Sequence, residues 1–457
     1  MRRFVLIFLV LGAIAVWAAT VFAHRPDPEA SVAIYDPNPN HIWNRVHALF
    51  FLREDLPLTR QFPDPLDPPY WPYTRYLLES HSHRRALRIL DEFLRTHAEN
   101  LIRDPLKRAI FQRDLGAVFD WSFERMPMGD KDGKYEKEKQ ELQVRLAEVM
   151  RRVALSPEEI RSLPHNYEQG VASGEFAPQF DPAQHDRAFL PPDLFDPHGP
   201  WVELEGPGDP EPVAEQHVRG FFGRSSFSIF MRLPQGRRAA FDYLETLWTS
   251  PESTVPSPRF APNSDVAPNP HLPQFPAGTE FALVRQMNLI DNHGQFVFTP
   301  ITESVQIRVY RSIRNEEASR PMPIDEAALN SGQSFYEFSL GRVRLFANAA
   351  GGLRATGREE KQLFVFNTPG PDVVPSGPSL TLDRTLPVLK ECILCHRAEG
   401  IHSVQSRLRL LKPHPLQRDR GHDSDGPGWW QDPRILSWKE KQDAWAALMR
   451  DWQAPVR

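Results

Sequence analysis

The chain has 457 residues, 40% of them hydrophobic, and a net charge of −5. That length exceeds one core and predicts two to four domains, while the near-neutral charge gives no basis for a nucleic-acid partner or an anionic membrane surface. The 45 prolines are about twice the usual share and predict many loop connections rather than long continuous helices.

The N-terminus reads as an export signal. Arg2 and Arg3 precede an apolar run from Phe4 to Ala23, and Val21-Phe22-Ala23 offers the small residues a signal peptidase reads. A run of this length also suffices to span a bilayer, so residues 4–23 fit either a cleaved signal or a retained membrane anchor. No cysteine stands directly after the run, which excludes a lipid-modified cysteine there.

From His24 to Asn40 the chain is rich in Pro and Asp and reads as an extended leader. Helical spacing follows: Ile42, Val46, Leu49 and Phe50, then Leu87, Leu90, Phe93, Leu94 and Leu101. Asp104-Pro105 is an N-cap with Pro at the first helical position, ahead of an apolar face of Ile110, Phe111, Leu115, Val118 and Phe119. The mixed charges between Arg84 and Arg125 read as a solvated helix face. Leu142, Leu146, Val149 and Val153 predict another helix, and Ser156-Pro157-Glu158-Glu159 starts one more. His81 and His83 have no carboxylate nearby in sequence and make a poor metal pair.

Gly170 to Pro200 is irregular, after which the period changes to two. Phe227, Ile229 and Met231 alternate with Ser226, Ser228 and Phe230, Arg237 to Trp248 reads as a helix, and Thr249 to Pro276 as a linker. Phe281 to Ile290 is a strand, Asp291-Asn292-His293-Gly294 a turn and Phe296 to Phe298 its return, while Val305, Ile307 and Val309 alternate in the next stretch. Ser334 to Phe346 and Gln362 to Phe366 continue the texture, which predicts a β-rich, sandwich-like module. Pro369 to Pro378 is a second linker.

The chemistry concentrates beyond it, in Cys392-Ile393-Leu394-Cys395-His396. These are the only two cysteines of the chain, and C-x-x-C-H is the attachment motif of a c-type haem. The thiols form thioethers to the porphyrin and the adjacent imidazole ligates the iron. A disulfide would close a very tight loop and leave His396 unexplained. A thioredoxin-like dithiol lacks its βαβ context, and a zinc site lacks a second ligand pair. Export and the motif support each other, because haem is normally attached outside the bacterial cytoplasm.

On these residues the segment 379–457 resembles a monohaem c-type cytochrome of the class with its haem motif near the domain's start. Leu386 to Glu391 leads into Cys392, Cys395 and His396 as a first helix would, and Ser437-Trp438-Lys439-Glu440 reads as a capping box before a helix carrying Trp445, Leu448 and Trp452. The resemblance implies one covalent haem c per chain, His396 as proximal ligand, and a second axial ligand from the loop before the last helix. That ligand is commonly Met, yet Gln405 to Trp438 holds none. His422, His414, Met449 in the last helix, the closely spaced His402, or an open position remain as alternatives. Trp429 and Trp430 are placed to cover the haem edge or to fill a small core.

The expected architecture is therefore multidomain α+β: a signal peptide or anchor (1–23), an α-helical domain (24–170), a β-rich module with linkers (171–370) and a small α-helical cytochrome c-like domain (371–457). The expected function is one-electron transfer to a redox partner protein in the periplasm or cell envelope. A haem-dependent oxidoreductase and an envelope binding protein with an accessory haem are the alternatives. No H-E-x-x-H, G-x-S-x-G, G-x-G-x-x-G or Walker loop is present.

Overall fold

Caps set the helix starts and alternation sets the strands. The computed structural model describes residues 33–52, 75–123, 134–205, 224–249, 254–261, 264–269, 271–313, 332–357, 361–362, 386–387, 389, 396, 400–404, 412–413 and 433–453. The chain divides into two compact units, Met1–Pro63 and Asp64–Arg457. Residues 4–23, read from the sequence as a signal or anchor, lie outside the described residues; among those described, no helix is long and apolar enough to cross a membrane.

In the first unit, α1 (Ile42–Phe51) buries Ile42, Val46, Leu49 and Phe50, the residues the helical spacing selected. Asn44 ties the preceding segment to this helix. Its Oδ1 accepts from the amides of Ile34 and Tyr35 at 3.1 and 2.8 Å, and its Nδ2 donates to the carbonyls of Asp36 and Asn38, both at 2.7 Å.

The second unit begins with helices. In α2 (Ser80–Arg95) Leu90, Phe93 and Leu94 of the expected face are buried together with Ala86 and Ile89, whereas Leu87 is half-buried and Leu101, beyond the helix end, is exposed. The next helix, α3 (Pro105–Phe123), starts at the predicted cap, where Asp104 Oδ1 accepts from the Leu106 amide at 2.9 Å. After α4 (Glu136–Val153), α5 (Pro157–Arg161) opens with a reciprocal capping box: Glu159 N donates to Ser156 Oγ at 3.2 Å, and Ser156 N to Glu159 Oε2 at 2.8 Å. A short α6 (Asn166–Ala172) completes this set.

The expected solvated face between Arg84 and Arg125 is corrected by α3, which is buried on every side from Ala109 to Phe119. It lies between α4 and strand β5 (Glu280–Ile290), so its polar residues are buried with it. Gln112 caps the end of that strand: its Oε1 accepts from the Ile290 amide at 2.9 Å and its Nε2 donates to the Ile290 carbonyl at 2.8 Å. Mixed charge in a sequence shows that charges are present, not whether a partner is folded against them.

The strands are β1 (Val202–Glu205), β2 (Ser225–Arg232), β3 (Thr254–Ala261), β4 (Ser264–Pro268), β5, β6 (Phe296–Tyr310), β7 (Gln333–Leu340), β8 (Leu353–Ala355), and the two-residue pieces β9 (Lys361–Gln362), β10 (Leu386–Pro387) and β11 (Lys412–Pro413). The main sheet is antiparallel in the order β11-β1-β2-β5-β6-β7-β8. The predicted turn connects β5 and β6: Asp291 N donates to Gln295 O at 2.9 Å and Gly294 adopts φ +78°, a conformation natural to glycine. Val305, Ile307 and Val309 are buried as their alternation implied.

The chain is thus of mixed α+β class, and helices cover the main sheet. Alternation reports that a strand face is buried and not what buries it, so the sandwich-like expectation and the observed helix cover share one sequence pattern. One cover is α7 (Arg237–Thr249), which packs Ala240, Leu244 and Leu247 against Val202, Leu204, Met231 and Phe281. Elsewhere Asn166 of α6 bridges to β6, accepting from Thr302 N at 2.7 Å and donating to Thr302 O at 3.0 Å.

Four further expectations differ. Leu386–Pro387, expected to open a first helix of an α-helical module, is instead the strand β10 paired with β9, and Lys412–Pro413 adds to the main sheet beside β1. The stretch read as a linker from Thr249 holds the β3–β4 pair, masked in sequence by its prolines, which isolated or edge strands tolerate. The strand begun at Gln333 ends at Leu340, and α8 (Arg342–Phe346) follows. Near the C-terminus, Ser437 to Glu440 lies inside α10 (Pro433–Glu440) rather than capping a helix, and a separate α11 (Asp443–Gln453) carries Trp445, Leu448 and Trp452. The proline at 433 provides the earlier start.

Candidate haem site

The site is built at the end of β6 and the beginning of β7. Tyr310 is fully buried there, its ring edge-on to Phe275 at 4.7 Å and to Phe281 at 5.9 Å. Its backbone is fixed from both sides: Gly278 N donates to Tyr310 O at 2.6 Å, and Tyr310 N to Thr279 O at 2.9 Å. Burial pushes the Tyr310 hydroxyl above its ordinary value, opposed by the Arg308 charge and the Ser403 hydrogen bond.

Against this end of the sheet docks the single turn α9 (Ile401–Val404). Gly400 enters it with φ +56°, a conformation natural to glycine, and a Cβ at that position would displace the Gln274 amide, whose Oε1 would lie 2.1 Å away. The same Gln274 Oε1 accepts from the Ile401 amide at 2.9 Å. Ile401 is 1% exposed, packed with Leu272, Phe275, Phe281 and Tyr310 in the core that α7 covers. Ser403 is fully buried: its Oγ pairs with the Tyr310 hydroxyl, and Arg308 Nη1 reaches both its carbonyl and its Oγ at 3.4 Å.

His396 is held by the same residue. Its Nδ1 lies 2.9 Å from the Ser403 carbonyl, which can only accept, so Nδ1 carries the proton and the neutral ring's lone pair is on Nε2. The His396 carbonyl accepts from Gln333 Nε2 of β7 at 3.4 Å. An imidazole whose other nitrogen donates to a backbone carbonyl is the usual arrangement of a metal-ligating histidine. Two thiols for thioether bonds and an imidazole set as an Nε2 donor form a set that fits haem c.

Cys392, Cys395, His414 and His422 lie outside the described residues, as does the side chain of His402, whose backbone is in α9. Met449 is half-buried in α11. The structure does not bring it to His396. Trp445 of α11 packs on Phe296 at 5.2 Å, at the first residue of β6, whereas Ser403 sits on Arg308 and Tyr310 at the strand's last residues. The strand between those ends spans about 45 Å at the usual rise, several times the reach of a side chain. The bland reading of Met449, packing beside the Trp face, is the one its helix supports.

At the other histidine pair, His83 has both ring nitrogens engaged, Nδ1 with Leu77 O at 3.0 Å and Nε2 with Glu141 Oε2 at 3.1 Å. The hydrogen bond from His83 is the largest cause of the lowered Glu141 pKa. Gln274, Arg308, Tyr310, Gln333 and Ser403 were not singled out from the sequence. Apart from Gly400, which marks a tight backbone entry, no local pattern distinguishes them, because their roles arise from a strand meeting a segment some 90 residues later.

No protein-family model matches this chain, and no curated protein or solved structure does either.

Proposed function

We propose that this protein is an exported monohaem c-type cytochrome that carries out one-electron transfer. The observation that carries the reading is Cys392-Ile393-Leu394-Cys395-His396, formed from the only two cysteines of the chain. Cys392 and Cys395 hold haem c covalently and His396 is the proximal ligand, a role supported by its Nδ1 bond to the Ser403 carbonyl. Bound haem supplies a one-electron couple at its iron. The chain's own residues would fix the His396 ring through the Ser403 carbonyl, and His414 or His422 would offer a second nitrogen ligand to the iron. The C-terminal residues from 371 form the haem-bearing part, residues 4–23 direct the chain to the periplasm or cell envelope as signal or anchor, and a redox protein is the partner.

The test is the absorption and magnetic circular dichroism spectrum of protein purified from a host with haem-attachment machinery, in both oxidation states and with carbon monoxide. A low-spin spectrum indifferent to carbon monoxide is expected, with a near-infrared band of bis-His type. A ferrous form that binds carbon monoxide would instead favour an oxidoreductase. Absence of covalent haem, with mass unchanged by Cys392→Ala and Cys395→Ala beyond the substitutions themselves, would overturn the proposal.

A further inference from the structure

We infer that Arg308, on a strand of the sheet and outside the haem motif, is a positioning residue that raises the reduction potential of the His396-ligated iron through the Ser403 carbonyl. The inference rests on the proposed haem at Cys392, Cys395 and His396. One carbonyl oxygen receives both groups: His396 Nδ1 at 2.9 Å and Arg308 Nη1 at 3.4 Å. A carbonyl oxygen has two lone pairs, so the two donors share it without displacing each other. The guanidinium draws electron density from that oxygen and weakens its pull on the His396 Nδ1 proton. The ring then has less imidazolate character and donates less to iron, which disfavours the ferric state relative to the ferrous one.

The positive charge acts in the same direction through space. Reduction lowers the positive charge of the haem centre, so a nearby cation stabilises the reduced form. Both effects are fixed in place by the fold. Arg308 also reaches Ser403 Oγ at 3.4 Å, and its guanidinium lies 6.0 Å from the Tyr310 ring. Tyr310 in turn pairs with the same Ser403 hydroxyl and is anchored by its own backbone to Gly278 and Thr279. The sheet therefore presents a cation to the residue that orients the proximal ligand.

The decisive measurement is the midpoint potential of the haem-loaded full chain by spectroelectrochemistry, for wild type, Arg308→Gln, Arg308→Lys and Tyr310→Phe. Removing the charge is expected to lower the ferrous-to-ferric equilibrium constant about tenfold, a fall of about 59 mV for one electron. Arg308→Lys keeps the charge and is expected to keep most of the potential. Tyr310→Phe removes a hydroxyl that pairs with Ser403 and also accepts from Arg308 Nη1 at 3.2 Å; it keeps the charge and is expected to shift the potential less than Arg308→Gln does. Arg308→Met, similar in volume and uncharged, carries the same test if the glutamine variant does not fold. A haem-loaded Arg308→Gln or Arg308→Met chain at the wild-type potential would overturn this inference while leaving the proposed function standing. So would a Tyr310→Phe shift as large as that of Arg308→Gln, since loosening of α9 would then account for both. A wild-type chain without covalent haem would overturn the inference and the proposed function together.

Discussion

Arg113 on α3 and Glu303 on β6 form an ion pair in which neither side chain is exposed, with the guanidinium Nε–H donating to the carboxylate. Glu303 also accepts from Ser225 Oγ at 2.5 Å and lies 3.3 Å from Arg285 Nε, so one carboxylate takes two hydrogen bonds and faces a second guanidinium across helix and sheet. Buried ions cost several kcal/mol each to desolvate, and removing one partner leaves the other's cost standing. Glu303→Gln leaves two buried guanidiniums facing an amide and is expected to lose about 3–5 kcal/mol in urea denaturation. Arg113→Met should cost less, because Glu303 keeps Arg285 and Ser225. Equal costs for the two variants would contradict this assignment.

A second buried pair joins α3 to α8. Arg342 Nε donates to Asp114 Oδ2 at 2.9 Å and its Nη2 to Oδ1 at 2.6 Å, a two-pronged geometry that only a guanidinium supplies. Arg342→Lys preserves the charge but loses one prong, with an expected cost of about 1–3 kcal/mol. A lysine chain as stable as wild type by thermal and urea unfolding would mean that charge alone holds α8 in place.

Much of the local structure was legible because its causes are local. Asp104 and Ser156 cap helices through atoms within three residues of themselves, and Gly294 turns a hairpin whose partners are adjacent in sequence. The motif at Cys392 to His396 was legible for the same reason. What the sequence did not disclose depends on distant partners. Arg113 reads as a surface charge until Glu303, 190 residues away, is folded against it. Arg308 reads as one polar residue of an alternating strand until Ser403 lies beside it. Ser437 to Glu440 matches the capping box as a word, but Pro433 had already begun the helix.

Glu280 on β5 is largely buried, with Arg232 Nη1 at 3.6 Å. Burial is the main reason its carboxyl is pushed up to about 7; Asp193 adds to the rise and the Arg232 charge opposes it. Between the ordinary carboxylate range and pH 7 the folded chain therefore holds a proton that the unfolded chain has released. Stability contributed by this group is complete at low pH and is lost as pH rises through about 7, with a slope of at most about 1.4 kcal/mol per pH unit. Glu280→Gln is expected to flatten stability across that window and to raise it above pH 7. Parallel wild-type and variant curves of urea midpoint against pH would refute the assignment.

Lys439 gives the opposite slope in a different window. It is 3% exposed on α10, donates to the Ser225 carbonyl at 2.6 Å and lies 5.8 Å from the centre of the Phe296 ring. Burial is the main cause that lowers its amine to about 7; Arg224 lowers it further, while Asp120 and Glu303 oppose the shift. From about pH 7 to the ordinary lysine range, the unfolded chain binds a proton that the folded chain does not. Stability therefore rises with pH through that window, again by at most about 1.4 kcal/mol per unit, and below it the cost of burying the ammonium is paid in full. Lys439→Met keeps the bulk beside Phe296, removes the titrating group and is expected to be more stable than wild type near pH 7. The advantage should shrink as pH approaches the lysine range, where both chains bury a neutral side chain. Urea unfolding at a series of pH values below the tyrosine range separates the possibilities. A Met variant less stable than wild type at pH 7 would show that the ammonium, through Ser225, Asp120 and Glu303, holds α10 to the sheet more strongly than its burial opposes.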